Sequence, residues 1–188
     1  MCNLYTIRKT GQELAALFDA TTVAAVDGPG DIYPKGLAPV VRAADGSRIL
    51  EPMRWGFPPP PQGRAPVTNI RNLASPFWRN ALHKPAQRCL VPVERFCEWE
   101  GDAGRKIKRW FSLPSRPVFA FAGLWRPTAT GPAFAFLTCD PNPLVAPIHP
   151  KAMPVILDEA DHDRWLSGAV DDACALALPY PSQLMRVG

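Results

Sequence analysis

The sequence lacks a long apolar run, a CxxC pair and an internal repeat, and it holds only three histidines. Each shortage excludes something. Without about 20 consecutive apolar residues, no segment reads as a membrane-spanning helix. The first residues lack the basic stretch followed by an apolar one that marks a secretory leader, so the expected compartment is the cytosol. Cys2, Cys89, Cys97, Cys139 and Cys174 form an odd set without paired spacing. Neither a disulfide framework nor a closed zinc site is expected from them. The few histidines and scattered carboxylates make no recognisable ligand cluster, so the sequence gives little support to a metal-dependent nuclease. No metal and no cofactor are expected.

Acidic residues are missing from two long stretches. None stands between Glu51 and Glu94, where Arg54, Arg64, Arg71, Arg79, Lys84 and Arg88 fall. None stands between Asp102 and Asp140, a stretch holding Arg105, Lys106, Lys108, Arg109, Arg116 and Arg126. Acid gathers late instead, from Asp158 to Asp172. Segregation of this kind suits a phosphate-binding face, and it equally suits solvated basic loops.

What is present suits one globular domain of 188 residues, with 47% hydrophobic and 20% charged residues. Its 23 prolines favour short elements. "TGQELAALF" reads as a helix, with Thr10 and Glu13 as a capping box and Leu14, Leu17 and Phe18 as an apolar stripe. "SPFWRNAL" reads as a second helix with Ser75 as N-cap and Pro76 at its first position. "DEADHDRWL" reads as a third, capped by Asp158, with Trp165 and Leu166 inward and His162 at the surface. "RILEPMRWGF", "RCLVPVERFCEWE", "RWFSL", "PVFAFAGLW" and "AFAFLTCD" read as strands, with a hairpin turn over Gly101 to Gly104. "PPPPQG", from Pro58 to Gly63, reads as a rigid loop. The expected fold is α+β: one compact domain, residues 1–188, around a bent antiparallel sheet or barrel with a few short flanking helices.

Cys2 stands directly behind Met1. Removal of Met1 gives it a free α-amine beside its thiol, a 1,2-aminothiol that no internal residue can supply. Asn69, Glu98 and His149 each lie beside or within apolar strand-like runs. Singly, each also fits a structural role. Asn69 can satisfy loop backbone. Glu98 can point outward between Cys97 and Trp99, and His149 can be a hydrogen-bonded structural histidine.

In order along the chain, "MCNLY", "WGF", "NIRN", "CLVP" with "FCEW", and "IHPKAMPVIL" resemble the SOS-response-associated peptidase family of abasic-site processing proteins. The resemblance covers roughly residues 2–166. It implies an α+β domain with a β-rich core and a positively charged channel for single-stranded DNA carrying abasic sites. It implies a bacterial cytosolic, monomeric protein that loses Met1 and crosslinks to abasic sites through Cys2. By motif match Cys2 is the nucleophile, and Asn69, Glu98 and His149 complete the catalytic set. Arg71, Thr138, Trp55 and Lys151 are the expected DNA-side residues: Arg71 matches a phosphate contact, Thr138 a supporting hydroxyl of the same pocket, Lys151 stands in a stretch one residue longer than the family's Arg-Met-Pro, and Trp55 or Trp99 either stacks on a base or belongs to the core. Asn3 and Leu4 depart from the Gly-Arg pair many members carry, and Pro58 to Pro61 replace an aromatic wedge. Two other readings stay open: an amino-terminal-nucleophile cysteine amidohydrolase, and a non-covalent single-strand-binding module in which Cys2 is incidental.

Overall fold

The computed structural model describes residues 2–61, 63–102 and 104–188. The expected loss of Met1, and the parts of the proline loop and hairpin turn carried by Gln62 and Ala103, lie outside the described residues. The chain runs β1 (Tyr5–Ile7), α1 (Gly11–Leu17), β2 (Ala20–Thr22), β3 (Gly30–Ile32), β4 (Leu37–Ala44) and β5 (Ser47–Trp55). It continues through β6 (Asn69–Ile70), α2 (Pro76–Leu82), β7 (Arg88–Val93), β8 (Arg95–Glu100) and β9 (Ile107–Ser112). There follow β10 (Phe119–Arg126), β11 (Ala133–Cys139), β12 (Met153–Pro154), β13 (Ile156–Leu157), α3 (His162–Ser167), α4 (Val170–Cys174) and β14 (Arg186–Val187).

The larger sheet closes on itself. Antiparallel pairs join β11 to β10, β10 to β7, β7 to β4 and β4 to β5. A parallel pairing of β5 with β11, Arg54 beside Ala133 and Trp55 beside Phe134, completes the circuit. Closure removes the open edges that a sheet this hydrophobic would otherwise present. Gly56 makes the turn after β5 at φ +117°, where a Cβ would meet Pro66 at 2.9 Å, so only glycine fits. Pro39 and Pro52 face each other across β4 and β5, placing two residues without N–H groups at one rung of the ladder.

The smaller sheet has the order β14-β9-β8-β1-β3. Its inner face packs on the barrel through Tyr5 and Phe96, whose rings lie 6.2 and 5.8 Å from that of Phe121. β1 thereby brings the chain's amino end to the place where the two sheets meet. "RCLVPVERFCEWE" is therefore two strands rather than one. The chain changes sheets at Glu94, whose N–H donates to the Thr6 carbonyl.

Helix α1 carries the expected capping box: Thr10 Oγ1 accepts from Glu13 N–H, and Glu13 accepts in turn from Thr10 N–H. Leu14 and Phe18 are buried, but Leu17 is 57% exposed, so the apolar stripe is narrower than expected. Ser75 caps α2 as the sequence suggests. Asp158 makes no side-chain cap; a 3₁₀ turn precedes α3, and Asp158 pairs with Arg116 and accepts from Tyr180 Oη.

His162 is not at the surface. Only 4% exposed, it stacks on Phe18 at 5.6 Å, because the 3₁₀ turn rotates it inward with Trp165 and Leu166. Burial first, and then the charge of Arg48, push its pKa from 6.5 down to about 4. The unfolded chain therefore binds that proton more readily. Stability should fall as pH drops from 6.5 to 4, by roughly 3 kcal/mol from this group. Chemical denaturation at both pH values checks this, and His162→Gln should flatten that part of the dependence.

Candidate active site at the amino terminus

The pleat decides which residues of β8 share a face. Phe96 points into the barrel, so Glu98, two residues on, points the same way, while Cys97 and Trp99 take the other face. Glu98 is 2% exposed, which corrects the outward reading open to it from alternation alone. The outer face is anchored to the amino end as well. Cys97 N–H donates to the Leu4 carbonyl, and Trp99 Nε1 donates to Asn3 Oδ1 at 2.9 Å. Asn3 and the fully buried Leu4 thus fix the segment that carries Cys2.

Cys2 is 1% exposed, and its Sγ donates weakly to the Leu4 carbonyl at 3.5 Å. Its own carbonyl accepts from Asn69 Nδ2 at 3.0 Å. Asn69 reaches it because β6 is held beside β11, Asn69 against Phe136 and Ile70 against Leu137. Thr138 Oγ1 donates to the Ile70 carbonyl at 3.3 Å and helps pin β6 in that register. Thr68 Oγ1 accepts from the same Asn69 amide at 2.9 Å, a contact that the "TNIRN" stretch contained but that spacing alone does not single out.

Burial sets the electrostatics. It pushes the Cys2 thiol well above its ordinary pKa, and the neighbouring Glu98 charge adds to the rise. It also raises Glu98 to about 7, against the opposing pull of the amino-terminal positive charge. Glu98 Oε1 and Asn69 Oδ1 have no hydrogen-bond partner among the described residues. His149 stands in the segment leading to β12, with Nδ1 2.8 Å from the Ala152 carbonyl oxygen. Burial, and then the same amino-terminal charge, lower its pKa. It is therefore neutral at pH 7. Cys2, Asn69 and Glu98 are brought together, and His149 feels the charge of the same chain end.

The remaining expected residues divide. Arg71 and Lys151 are exposed, and Arg71 pairs with Asp140. Trp55 is fully buried, stacked on Phe136 at 5.2 Å with Nε1 donating to the Thr68 carbonyl; no face of it is open to a base. Thr138 is 3% exposed and its hydroxyl is engaged inside the protein, so it positions β6 rather than meeting DNA. Trp55 thus takes the core role that the sequence left open for it, and Thr138 supports the short strand that carries Asn69. Arg88 is likewise removed from the basic face: buried, it donates to the carbonyls of Leu82, Trp165 and Gly168. Arg64, Arg79, Lys84, Lys106 and Lys108 remain exposed. No grouping of three or more histidine, cysteine or carboxylate side chains suited to a metal occurs among the described residues. No helix among them is long and apolar enough to cross a membrane.

The barrel with its amino-terminal strand thus holds a buried Cys2 beside the Asn69 amide and the Glu98 carboxyl. The chain belongs to the SOS response associated peptidase (SRAP) family, whose profile matches residues 1–187. It is 28% identical to the Bacillus subtilis abasic site processing protein YoaM over 212 residues, covering 99% of this chain and 89% of that one. It is 32% identical to B. subtilis abasic site processing protein YobE over 159 residues, covering 76% of this chain and 71% of that one. A crystal structure of a Bacteroides thetaiotaomicron protein superposes with a TM-score of 0.84 at 20% identity, over 99% of this chain and 90% of that one. One from Bordetella bronchiseptica gives 0.81 at 26% identity, over 100% and 98%.

Proposed function

We propose that this protein processes abasic sites in single-stranded DNA by forming a thiazolidine with the abasic sugar through Cys2, after Met1 is removed. The observation that carries the reading is the environment of Cys2: an amide on its carbonyl and, beside it, a buried carboxyl raised to about 7. The kinship with abasic site processing proteins supports the same substrate.

The open-chain abasic sugar is an aldehyde. The neutral α-amine of Cys2 adds to it, and the resulting carbinolamine must lose water. Glu98, holding a proton near neutral pH, gives it to the departing hydroxyl. His149, neutral at pH 7, can take up and return a proton as the sugar ring opens. Asn69 orients the chain end without adding charge. The Cys2 sulfur then closes on the imine carbon. The five-membered ring is durable, since its reversal requires ring opening followed by hydrolysis.

Incubation with a single-stranded oligonucleotide carrying one abasic site, followed by a denaturing gel, tests this. A heat-stable shifted band is expected with abasic DNA and none with intact DNA. Equal affinity for both strands with no shifted band would return the protein to simple binding. Arg71 is the expected phosphate contact, and its pairing with Asp140 yields when a phosphate replaces the carboxylate. Arg71→Ala should weaken single-strand binding and reduce the slope of log K against log salt by about 0.7. Salt titrations of both proteins measure it.

A further inference from the structure

Two polar atoms at the chain end are buried without a hydrogen-bond partner among the described residues, Asn69 Oδ1 and Glu98 Oε1. Both side chains are more than nine-tenths buried, Asn69 at 8% exposed and Glu98 at 2%. Geometry holds both there. The Asn69 amide keeps its unbonded oxygen beside Cys2, whose carbonyl accepts from Nδ2 at 3.0 Å. Glu98 stands between Cys97 and Trp99, which donate to Leu4 and to Asn3, so β8 lies along the residues that follow Cys2. Burying two such atoms unbonded is unfavourable, and each is left able to bond a bound molecule.

Cys2 itself is only 1% exposed. A site this closed selects by size, and a one-carbon aldehyde needs the least room beside the amine and the sulfur. Its addition product carries a hydroxyl that Asn69 Oδ1 can accept from and Glu98 can protonate. Ring formation requires an amine, a thiol, an aldehyde carbon and a placed acid, and none of these comes from the DNA backbone.

Building on the covalent reading above, we propose a further activity of this site: capture of small free aldehydes, formaldehyde foremost, as a thiazolidine on Cys2 that caps the chain end and blocks its reaction with abasic DNA. The α-amine adds to the aldehyde carbon, and one of its protons passes to the oxygen. Glu98 gives its proton to the resulting hydroxyl, which leaves as water while the C=N bond forms. The Cys2 S–H then returns a proton to Glu98, the sulfur electron pair forms the C–S bond, and the C=N π pair becomes the lone pair of the ring nitrogen. One C–N and one C–S bond replace the C=O bond, and the hydrogens of the water come from the amine and the thiol. No electrons are gained or lost, so the aldehyde is the one co-reactant. The capped protein has neither a primary amine nor a thiol at Cys2, so aldehyde and abasic DNA exclude each other.

Intact mass with peptide mapping follows the capture of dilute formaldehyde by protein that begins at Cys2, by Glu98→Gln, and by a short peptide of the same first residues, which has the aminothiol and no site. The protein should gain one formaldehyde less one water at Cys2, at least about tenfold faster than the peptide or the variant. Benzaldehyde, whose ring the closed site excludes, should show no such advantage over the peptide. Capped protein should give no heat-stable band with abasic single-stranded DNA. Capture no faster than in the peptide, equal capture by Glu98→Gln, or an equal advantage for benzaldehyde would overturn the proposal. Wild-type protein that crosslinks abasic DNA yet shows no advantage with formaldehyde refutes the aldehyde activity alone, whereas failure of both reactions refutes the covalent reading itself.

Discussion

Cys2→Ala should abolish the heat-stable DNA adduct, by more than about 100-fold, while leaving an imine that borohydride still traps. The variant keeps the α-amine that attacks the aldehyde and loses only the sulfur that closes the ring. The amine is what makes the chain end reactive. With a pKa of about 7.7–8.0 against about 10.4 for lysine, roughly a tenth of it is neutral at pH 7, a few hundredfold more than an ordinary lysine. Fusion of an uncleaved tag ahead of Cys2 should therefore eliminate both products. A denaturing gel run with and without borohydride distinguishes these cases. If the tagged protein retains wild-type crosslinking, the amine has no part in it.

The second large effect belongs to Glu98. Glu98→Gln should slow crosslinking by about 10²–10⁴-fold, the range for losing a placed acid or base. The pH profile should change shape as well. The reactive form holds a proton on Glu98 and none on the amine, which is equivalent to one proton shared between the two groups. The wild-type rate should then rise through pH about 7, set by Glu98, and fall through about 8, set by the amine. Without the carboxyl no group has to keep its proton, so the variant should rise to a plateau with no falling limb.

Stability should move the other way. The folded protein holds the Glu98 proton more tightly than the unfolded chain, whose pKa is 4.5 against about 7 when folded. The stability of the wild type is therefore lost progressively as pH rises from 4.5 to 7, by roughly 3 kcal/mol from this group. Glu98→Gln should be more stable than wild type at pH 8, with the gain vanishing near pH 4.5. Denaturant midpoints at the two pH values decide it. A variant both slower and more stable marks a residue held at a folding cost for its chemistry.

The sequence made the α1 capping box and the α2 N-cap readable because both are local, set by residues three apart or fewer. Strands β5 and β7 to β11 were readable from their β-branched and aromatic runs, whereas β4, with three alanines and a proline in eight residues, was not. β6, β12 and β13 were not, since two-residue strands exist only where β10 and β11 offer them a neighbour. The closure of β5 on β11 joins residues far apart in sequence, so no spacing announces it. The site followed the same rule. Cys2, Asn69, Glu98 and His149 stood out as polar residues in apolar surroundings, and the first three converge. Trp55 and Thr138 carry the same local signature but face the interior. Asn3 gained its meaning only through Trp99, far away in sequence and adjacent in the sheet.

Intact-mass analysis of the purified DNA–protein product, with peptide mapping of the attachment point, tests the central claim most directly. The account predicts a protein beginning at Cys2, joined to one abasic oligonucleotide with loss of one water, and the modification confined to Cys2. An adduct on a lysine, or an adduct on protein that still carries Met1, would contradict it.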